Sequence, residues 1–327
     1  MKTKKQYLYG MAAVAAAICL ALASCGKDEP KPTPPEPPLP PDPPAPAAIT
    51  AHLTAQTDDD QWTWGDLDNV GVYMFDLGTL NVTGESGNVG YKVAAGKGAQ
   101  ALAPIEGQGA IMFPLDERLK VEFMAYMPYQ AGLADLDWQV PVDVKDQSSQ
   151  RSLNLMWAGK IDNDGKGYTR QQGETPVPLK LQQQMSFWQV TVVKGEAGPN
   201  LNGLLVSIPA LPTHSNFDVR TGTMAEGTEM LPIAPLTLQA PNNALGTSGI
   251  YGATLIPQNI SANQNMVQLT TSDGTVFSEK LIASGNALEK GKLYEYTITL
   301  YRDKAVISNA TIKDWTEFSG ALGGDAY

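Results

Sequence analysis

An all-β protein built of antiparallel β-sandwiches is the fold class this sequence predicts, and three observations predict it. From Ile49 onward apolar residues recur with a period of two, the spacing of a strand with one face on a core. No helix-period segment there exceeds a turn or two. Clusters such as Gly84-Glu85-Ser86-Gly87-Asn88 punctuate those segments as turns. Charged residues make up only 17% of the 327 residues, beside 31 Gly and 24 Pro, which suits strands and turns better than helices. Many short strands with turn signals between them point to sandwiches rather than to βαβ units.

The chain opens on a targeting segment. Lys2, Lys4 and Lys5 precede an apolar run over residues 8–23, short of the roughly 20 residues a membrane span needs. Leu22-Ala23-Ser24-Cys25 reads as a bacterial lipobox: small residues before a Cys let a signal peptidase cut there, leaving the Cys25 thiol for lipid. Residues 1–24 are therefore expected to be a lipoprotein signal peptide; the competing reading is an ordinary secretory signal with an incidental Cys. Cys19 leaves with the signal, so the remaining chain holds no disulfide. Gly26-Lys27-Asp28-Glu29 resembles an acidic surface-export signal of bacterial lipoproteins. Residues 30–46 then carry 11 Pro in 17 residues. Such a stretch favours polyproline II at ~3.1 Å per residue, a semi-rigid stalk of about 50 Å, so residues 25–47 form a lipidated linker.

The strand candidates follow in order. Residues 71–75 and 111–113 come first. In 121–127, Val121, Phe123, Ala125 and Met127 alternate imperfectly, because Met124 and Tyr126 opposite them are also apolar. After 153–158, Val177, Leu179 and Leu181 alternate with Pro178, Lys180 and Gln182, and that Pro marks an edge or a bulge. Residues 188–193, 204–208, 253–256 and 266–270 are next. The clearest is 293–301, with Tyr294, Tyr296, Ile298 and Leu300 on one face and Glu295, Thr297 and Thr299 on the other. Residues 305–312 close the series. A turn-rich stretch, Asp162-Asn163-Asp164-Gly165-Lys166-Gly167 with Gln171-Gln172-Gly173, is the expected boundary between an N-terminal domain (48–172) and a C-terminal domain (173–327).

Composition excludes several functions. Lys and Arg number 23 against 34 Asp and Glu, a net charge of −11, which opposes nucleic-acid binding. Two Cys and two His cannot supply a disulfide scaffold or a cysteine zinc site. Asp162-Asn163-Asp164-Gly165 begins like a calcium loop, but Lys166 and Gly173 stand where oxygen ligands belong, so it reads as a surface turn. Asp58, Asp59 and Asp60 with Asp66 and Asp68 read as a solvated acidic rim rather than a cation site. His52 and His214 are the candidate imidazole bases, with Thr213 and Ser215 beside the latter, yet no nucleophile-elbow motif surrounds them. Thirty-four acids contain many pairs that could serve glycoside hydrolysis, but spacing selects none. Trp62, Trp64, Trp138, Trp157, Trp188 and Trp315 could stack on sugars, though scattered Trp in sandwiches usually sit in cores. No catalytic residue, metal site or cofactor is expected.

Several segments form an ordered series along the chain. They are Trp64-Gly65-Asp66 leading to Val70-Gly71-Val72-Tyr73-Met74, then Phe123-Met124-Ala125-Tyr126-Met127-Pro128-Tyr129 and Leu153-Asn154-Leu155-Met156-Trp157-Ala158. Val177-Pro178-Leu179-Lys180-Leu181 with the following residues 185–193, Ala253-Thr254-Leu255-Ile256-Pro257-Gln258, Leu288-Glu289-Lys290-Gly291-Lys292-Leu293-Tyr294-Glu295-Tyr296 and Ile312-Lys313-Asp314-Trp315 complete the series. In this order the segments resemble the fimbrillin family of Bacteroidales pilus subunits, and the resemblance implies two tandem transthyretin-like β-sandwiches, carried as a lipoprotein at the outer membrane and exposed at the cell surface. It also implies other fimbrial subunits as partners: a protease removes the lipidated end with the first strand, here about 49–55, and a strand from the next subunit fills the groove.

Three departures bear on that scheme. Gln56 and Thr57 stand where relatives carry an Arg for cleavage, and no Lys or Arg lies between Lys31 and Lys92. A His common near the start of the C-terminal domain is replaced within Gln182-Gln183-Gln184. The Gly-rich residues 319–324 suit a donor strand poorly. The reading that results is a non-enzymatic surface lipoprotein, a tip, anchor or minor fimbrial subunit or adhesin with a host or microbial surface ligand. The alternative is a glycan-binding surface lipoprotein serving polysaccharide capture.

Overall fold

The computed structural model describes residues 47–59, 62–66, 68–133, 138–173, 175–241, 245–281 and 287–315. The signal segment, Cys25, the Pro-rich stretch and residues 319–324 lie outside the described residues.

The first nine strands are β1 (Leu53–Gln56), β2 (Thr63–Trp64), β3 (Asn69–Asp76), β4 (Val89–Val93), β5 (Gly96–Lys97), β6 (Gln100–Pro104), β7 (Val121–Met127), β8 (Gln139–Asp143) and β9 (Met156–Ile161). One helical turn, α1 (Gln150–Leu153), and a 3₁₀ turn at Arg170–Gln172 interrupt the series. Next come β10 (Val177–Lys180), β11 (Gln182–Gln183), β12 (Ser186–Lys194), β13 (Leu205–Asp218), β14 (Thr223–Met224), β15 (Thr228–Ile233) and β16 (Leu236–Gln239). The last are β17 (Ser248–Leu255), β18 (Gln258–Asn259), β19 (Val267–Thr270), β20 (Val276–Glu279), β21 (Ala287–Leu288), β22 (Lys292–Leu300) and β23 (Ala305–Asp314). The fold is all-β, as the period-two pattern predicts.

Eight strands form the first sheet, in the order β10-β1-β6-β4-β3-β7-β9-β11. A five-stranded sheet runs β16-β17-β12-β22-β23, and a third runs β14-β13-β19-β20 with β8 and β15 also paired to β13. Among the described residues, pairing is antiparallel except for β1 with β10 and β12 with β22. Pro178 lies in β10, an end strand of the first sheet, where a missing N–H costs no ladder bond.

Two clusters of buried apolar side chains hold these sheets. One face of the first sheet contributes Leu53, Val72, Met74, Phe123, Ala125, Val177 and Leu179 to the first core. The opposite face of β3 and β7, through Tyr73, Phe75, Met124 and Tyr126, belongs to the second core with Val140, Val142, Phe217 and Val219. That accounts for the imperfect alternation of residues 121–127. All seven residues of β7 are buried, so both faces must be apolar. Glu122 is the exception, and its carboxylate accepts from the Gly78 N–H at 3.3 Å.

Three strand expectations need correction. Residues 153–158 are not one strand: Leu153 closes α1, Asn154 turns the chain at φ −80 and ψ 80, and pairing starts at Met156. The strand expected over 204–208 continues to Asp218, because Pro209 falls in a bulge between Ile208 and Leu211 and does not end it. Residues 111–113 make an isolated bridge through Met112 to Thr50 rather than a full strand.

Burial also controls the tyrosines. It pushes the phenols of Tyr91, Tyr126, Tyr168, Tyr251 and Tyr294 above their usual value, and that of Tyr296 up to about 12. A folded-state pKa raised above the unfolded value near 10 gives stability that is complete below that pH and lost as pH rises toward 12. Base should therefore unfold the protein in that window, with phenolate absorbance rising together with loss of strand circular dichroism. Ionisation of the buried phenols with the strand signal intact would refute this.

Candidate functional site

The segment with the clearest capacity to act is the first strand. Ala51, Leu53 and Ala55 point into the first core and are buried, while His52, Thr54 and Gln56 point outward. This alternation is what lets four residues fill a slot between two other strands. β1 runs parallel to β10, with Leu53 opposite Val177 and Ala55 opposite Leu179. On its other side it runs antiparallel to β6, with Thr54 opposite Ala101.

The strand is closed in along its whole length. Upstream, the Ala51 N–H donates to the Ile111 carbonyl at 2.9 Å and the Phe113 N–H to the Ile49 carbonyl at 2.9 Å. The Val177 N–H donates to the His52 carbonyl at 2.7 Å and the Leu181 N–H to the Gln56 carbonyl at 2.8 Å. The Arg170 guanidinium donates to the carbonyls of Ala47 and Leu115. Withdrawing residues 47–56 would open β6, β10 and residues 111–113 at once and uncover the core beneath.

Beyond Gln56 the chain leaves the slot through a hydrogen-bonded turn. The Thr57 hydroxyl donates to the Asp59 carbonyl at 2.9 Å, and the Trp62 N–H donates to the same carbonyl at 3.0 Å. Trp62 and Trp64 meet edge to face at 5.9 Å, and the Trp64 indole donates to the Gly98 carbonyl at 2.7 Å. Asp68 pins the next turn by accepting from the Gly65 N–H at 2.8 Å. Arg151 closes this turn from α1, donating through Nε to Asp68 Oδ1 at 2.7 Å and through Nη2 to the Thr63 carbonyl at 2.8 Å and to Asp68 Oδ2.

That arrangement corrects the acidic rim. Asp68 is 1% exposed and paired with Arg151, whereas Asp66 is solvent-exposed and faces Lys92 at 3.3 Å. Asp66 and Asp68 do not converge, Asp60 lies outside the described residues, and among the described residues no three His, Cys, Asp or Glu side chains form a metal-holding group. Asp162 to Gly167 is the surface turn expected. Asn163, Asp164 and Gly165 all have positive φ, and the Gly167 N–H returns to the Asp162 carbonyl at 2.7 Å.

The two histidines are not brought together. His52 is exposed on the outer face of the first-strand segment. His214 lies on β13 between two carboxylates, with Nε2 at 3.3 Å from Asp143 and Nδ1 at 3.4 Å from Glu229. The Thr213 hydroxyl is 2.9 Å from Nδ1, but Thr213 is wholly buried and its hydroxyl donates to the Glu229 carbonyl at 3.0 Å. A hydroxyl so enclosed and so engaged cannot attack a substrate. The tryptophans form no sugar platform: Trp62, Trp64, Trp188 and Trp315 are buried, and Trp138 and Trp157 are half-buried against Tyr73 and Phe217.

Two further features were not legible as sites. A cleft of about 750 Å³ borders residues 108–115, beside the bridge to Thr50. In it Gln108 accepts from the Gly90 N–H and donates to the Tyr129 hydroxyl, and the Asn88 amide donates to the Gln130 carbonyl at 3.1 Å. At the far end of the chain, β23 pairs with β22 as the end strand of its sheet and is open to solvent on both faces, Val306, Ile307 and Ile312 included. The sequence predicts that strand but carries no signal for its exposure.

Comparisons with known proteins agree with this picture. A family model described as fimbrillin-like matches residues 54–315. A candidate fimbrium subunit of Bacteroides uniformis, Fim1C, is 26% identical over 320 residues, covering 93% of this chain and 96% of its own. The crystal structure of a candidate cell adhesion protein from Bacteroides uniformis superposes with a TM-score of 0.67 at 25% identity, over 82% of this chain and 98% of that one. A second candidate cell adhesion protein, from Bacteroides ovatus, shares the fold at a TM-score of 0.61 and 17% identity, over 82% and 98% of the two chains. With a match spanning the first strand to Trp315, this chain belongs to the fimbrillin-like family.

Proposed function

We propose that this protein is a non-enzymatic fimbrial subunit or adhesin, held at the outer surface of the cell by lipid on Cys25 and lifted from the membrane by the Pro-rich residues 30–46. The observation that carries the reading is the seating of β1. A short strand inserts small and medium side chains between two others, at the end of the chain nearest the anchor, and its backbone is satisfied by β6, β10 and residues 111–113. A strand from another subunit can replace it with the same alternation, which is how other fimbrial subunits would join. The body after the linker is proposed as two tandem sandwiches.

The absence of Lys and Arg between Lys31 and Lys92 argues against removal of that strand by an Arg-specific protease. We therefore place the protein at a tip, an anchor or a minor position, with a host or microbial surface ligand, rather than in a repeating shaft. Nothing in the Trp positions favours glycan capture.

Native outer membrane tests both parts. Mass spectrometry of the extracted protein should find Cys25 acylated as the first residue. Mild extraction should show a heat-labile complex with other subunits but no homopolymeric ladder. An unlipidated amino terminus would defeat the anchor, and a long ladder of this chain alone would defeat the minor-subunit role.

A further inference from the structure

β8 follows the first sheet's β7 in the chain, but its partner is β13, from Asp143 opposite His214 to Gln139 opposite Asp218. The pairing extends past both ends: the Val144 N–H donates to the Thr213 carbonyl at 2.8 Å and the Val219 N–H to the Trp138 carbonyl at 2.9 Å. Val140, Val142 and Val144 bury their side chains in the second core. Side chains secure the two ends, with Gln139 donating to Asp218 at 3.0 Å and Asp143 at 3.3 Å from His214 Nε2.

A buried amide group continues the fastening. Gln147 donates to the carbonyls of Val144 at 2.6 Å and Thr254 at 3.0 Å, and accepts from the Thr254 N–H at 2.8 Å. Its amide thus meets β17 as a neighbouring strand would. The Thr254 hydroxyl donates to Gln150 Oε1 at 2.6 Å, and Gln150 donates back to Gln147 Oε1 at 3.0 Å. In the reverse direction, β10 and β11 pass from the turn-rich stretch into the first sheet, beside β1 and β9.

We propose that β8 is a latch that fuses the two cores into one folding unit, so that no hinge lies between them. Parting the cores would either withdraw β8 from β13 or, with β8 left in place, strip Tyr73, Phe75, Met124 and Tyr126 of β3 and β7 from its valines. Either course exposes the three valines, and the first also strands the buried amides of Gln147 and Gln150, so partial opening is penalised throughout. Domains joined only by a connecting segment would open at that segment instead. This inference stands apart from the fimbrial reading, because it concerns only how the chain opens.

Native-state hydrogen exchange on the full chain decides it. The slowest amides of β3 and β7 should report the same opening equilibrium as the slowest amides of β12 and β22. Gln147→Ala should lower protection in both sets by the same factor, about ten-fold or more. Sets that differ by more than ten-fold in the wild type, or a variant that loosens only β12 and β22, would overturn the latch. If Gln147→Ala does not fold, the wild-type comparison and the milder Gln139→Ala decide by the same criterion.

Discussion

Replacing Arg151 with alanine is expected to cost about 3 kcal/mol of stability, the lower end of what breaking a buried ion pair costs. Asp68 is 1% exposed and takes two of its hydrogen bonds from Arg151, so the variant leaves a buried carboxylate with the Gly65 N–H and little else. The Arg side chain is itself about a third exposed, which lets water reach the vacated place and keeps the loss from the upper end. In a chain of this size the loss should lower Tm by roughly 6 °C or more. Asp68→Asn in the same background should recover part of it, because the orphaned charge disappears while the acceptor for Gly65 remains. A Tm for Arg151→Ala within 1 °C of wild type would show that the pair carries no net stability, as many surface pairs do not.

Arg151 also marks where sequence reading stops. Asp68 lies in a run of acids that reads as solvated, and its partner is 83 residues away on a four-residue helical turn with no pattern to announce it. β22 was legible in full, because one of its faces meets a core and the other meets solvent or hydroxyls. β3 and β7 were legible as strands but not as a two-faced layer, since burial on both sides erases the period that distinguishes them. β13 carries Pro209 and Pro212 and β8 carries Pro141, and a proline ends a strand in a sequence reading unless a bulge or an outward position accommodates it. Here Pro209 sits in the bulge, Pro212 follows just past it opposite Met230, and Pro141 lies on the exposed side of β8. The groove around β1 was reached through family resemblance alone. A four-residue strand is too short for periodicity, and β10, which closes it, comes from over a hundred residues downstream.

The largest effect is expected at that groove. Leu53 is 3% exposed, opposite Val177, between two alanines whose small side chains set the register. Leu53→Asp forfeits about 2–3 kcal/mol of apolar burial and adds several more for an unpaired carboxylate in the core. Together these come to roughly 5 kcal/mol or more, comparable with the whole stability margin of many domains. The least costly relief is for β1 to leave its slot, since only residues 47–56 need move and their backbone groups can then bond to water. The variant should therefore open residues 47–59 to a broad-specificity protease while β12 and β22 keep their structure. It should also capture a synthetic wild-type peptide of residues 47–59, which the parent protein ignores. Leu53→Met, of similar volume, should cost under about 1.5 kcal/mol and capture nothing. If Leu53→Asp melts within a few degrees of wild type, β1 is not seated as described. If it melts early yet takes up no peptide, the slot collapses when emptied and cannot receive a strand from another subunit. Capture would show instead that the slot persists without its own strand, which is the property an exchangeable first strand requires.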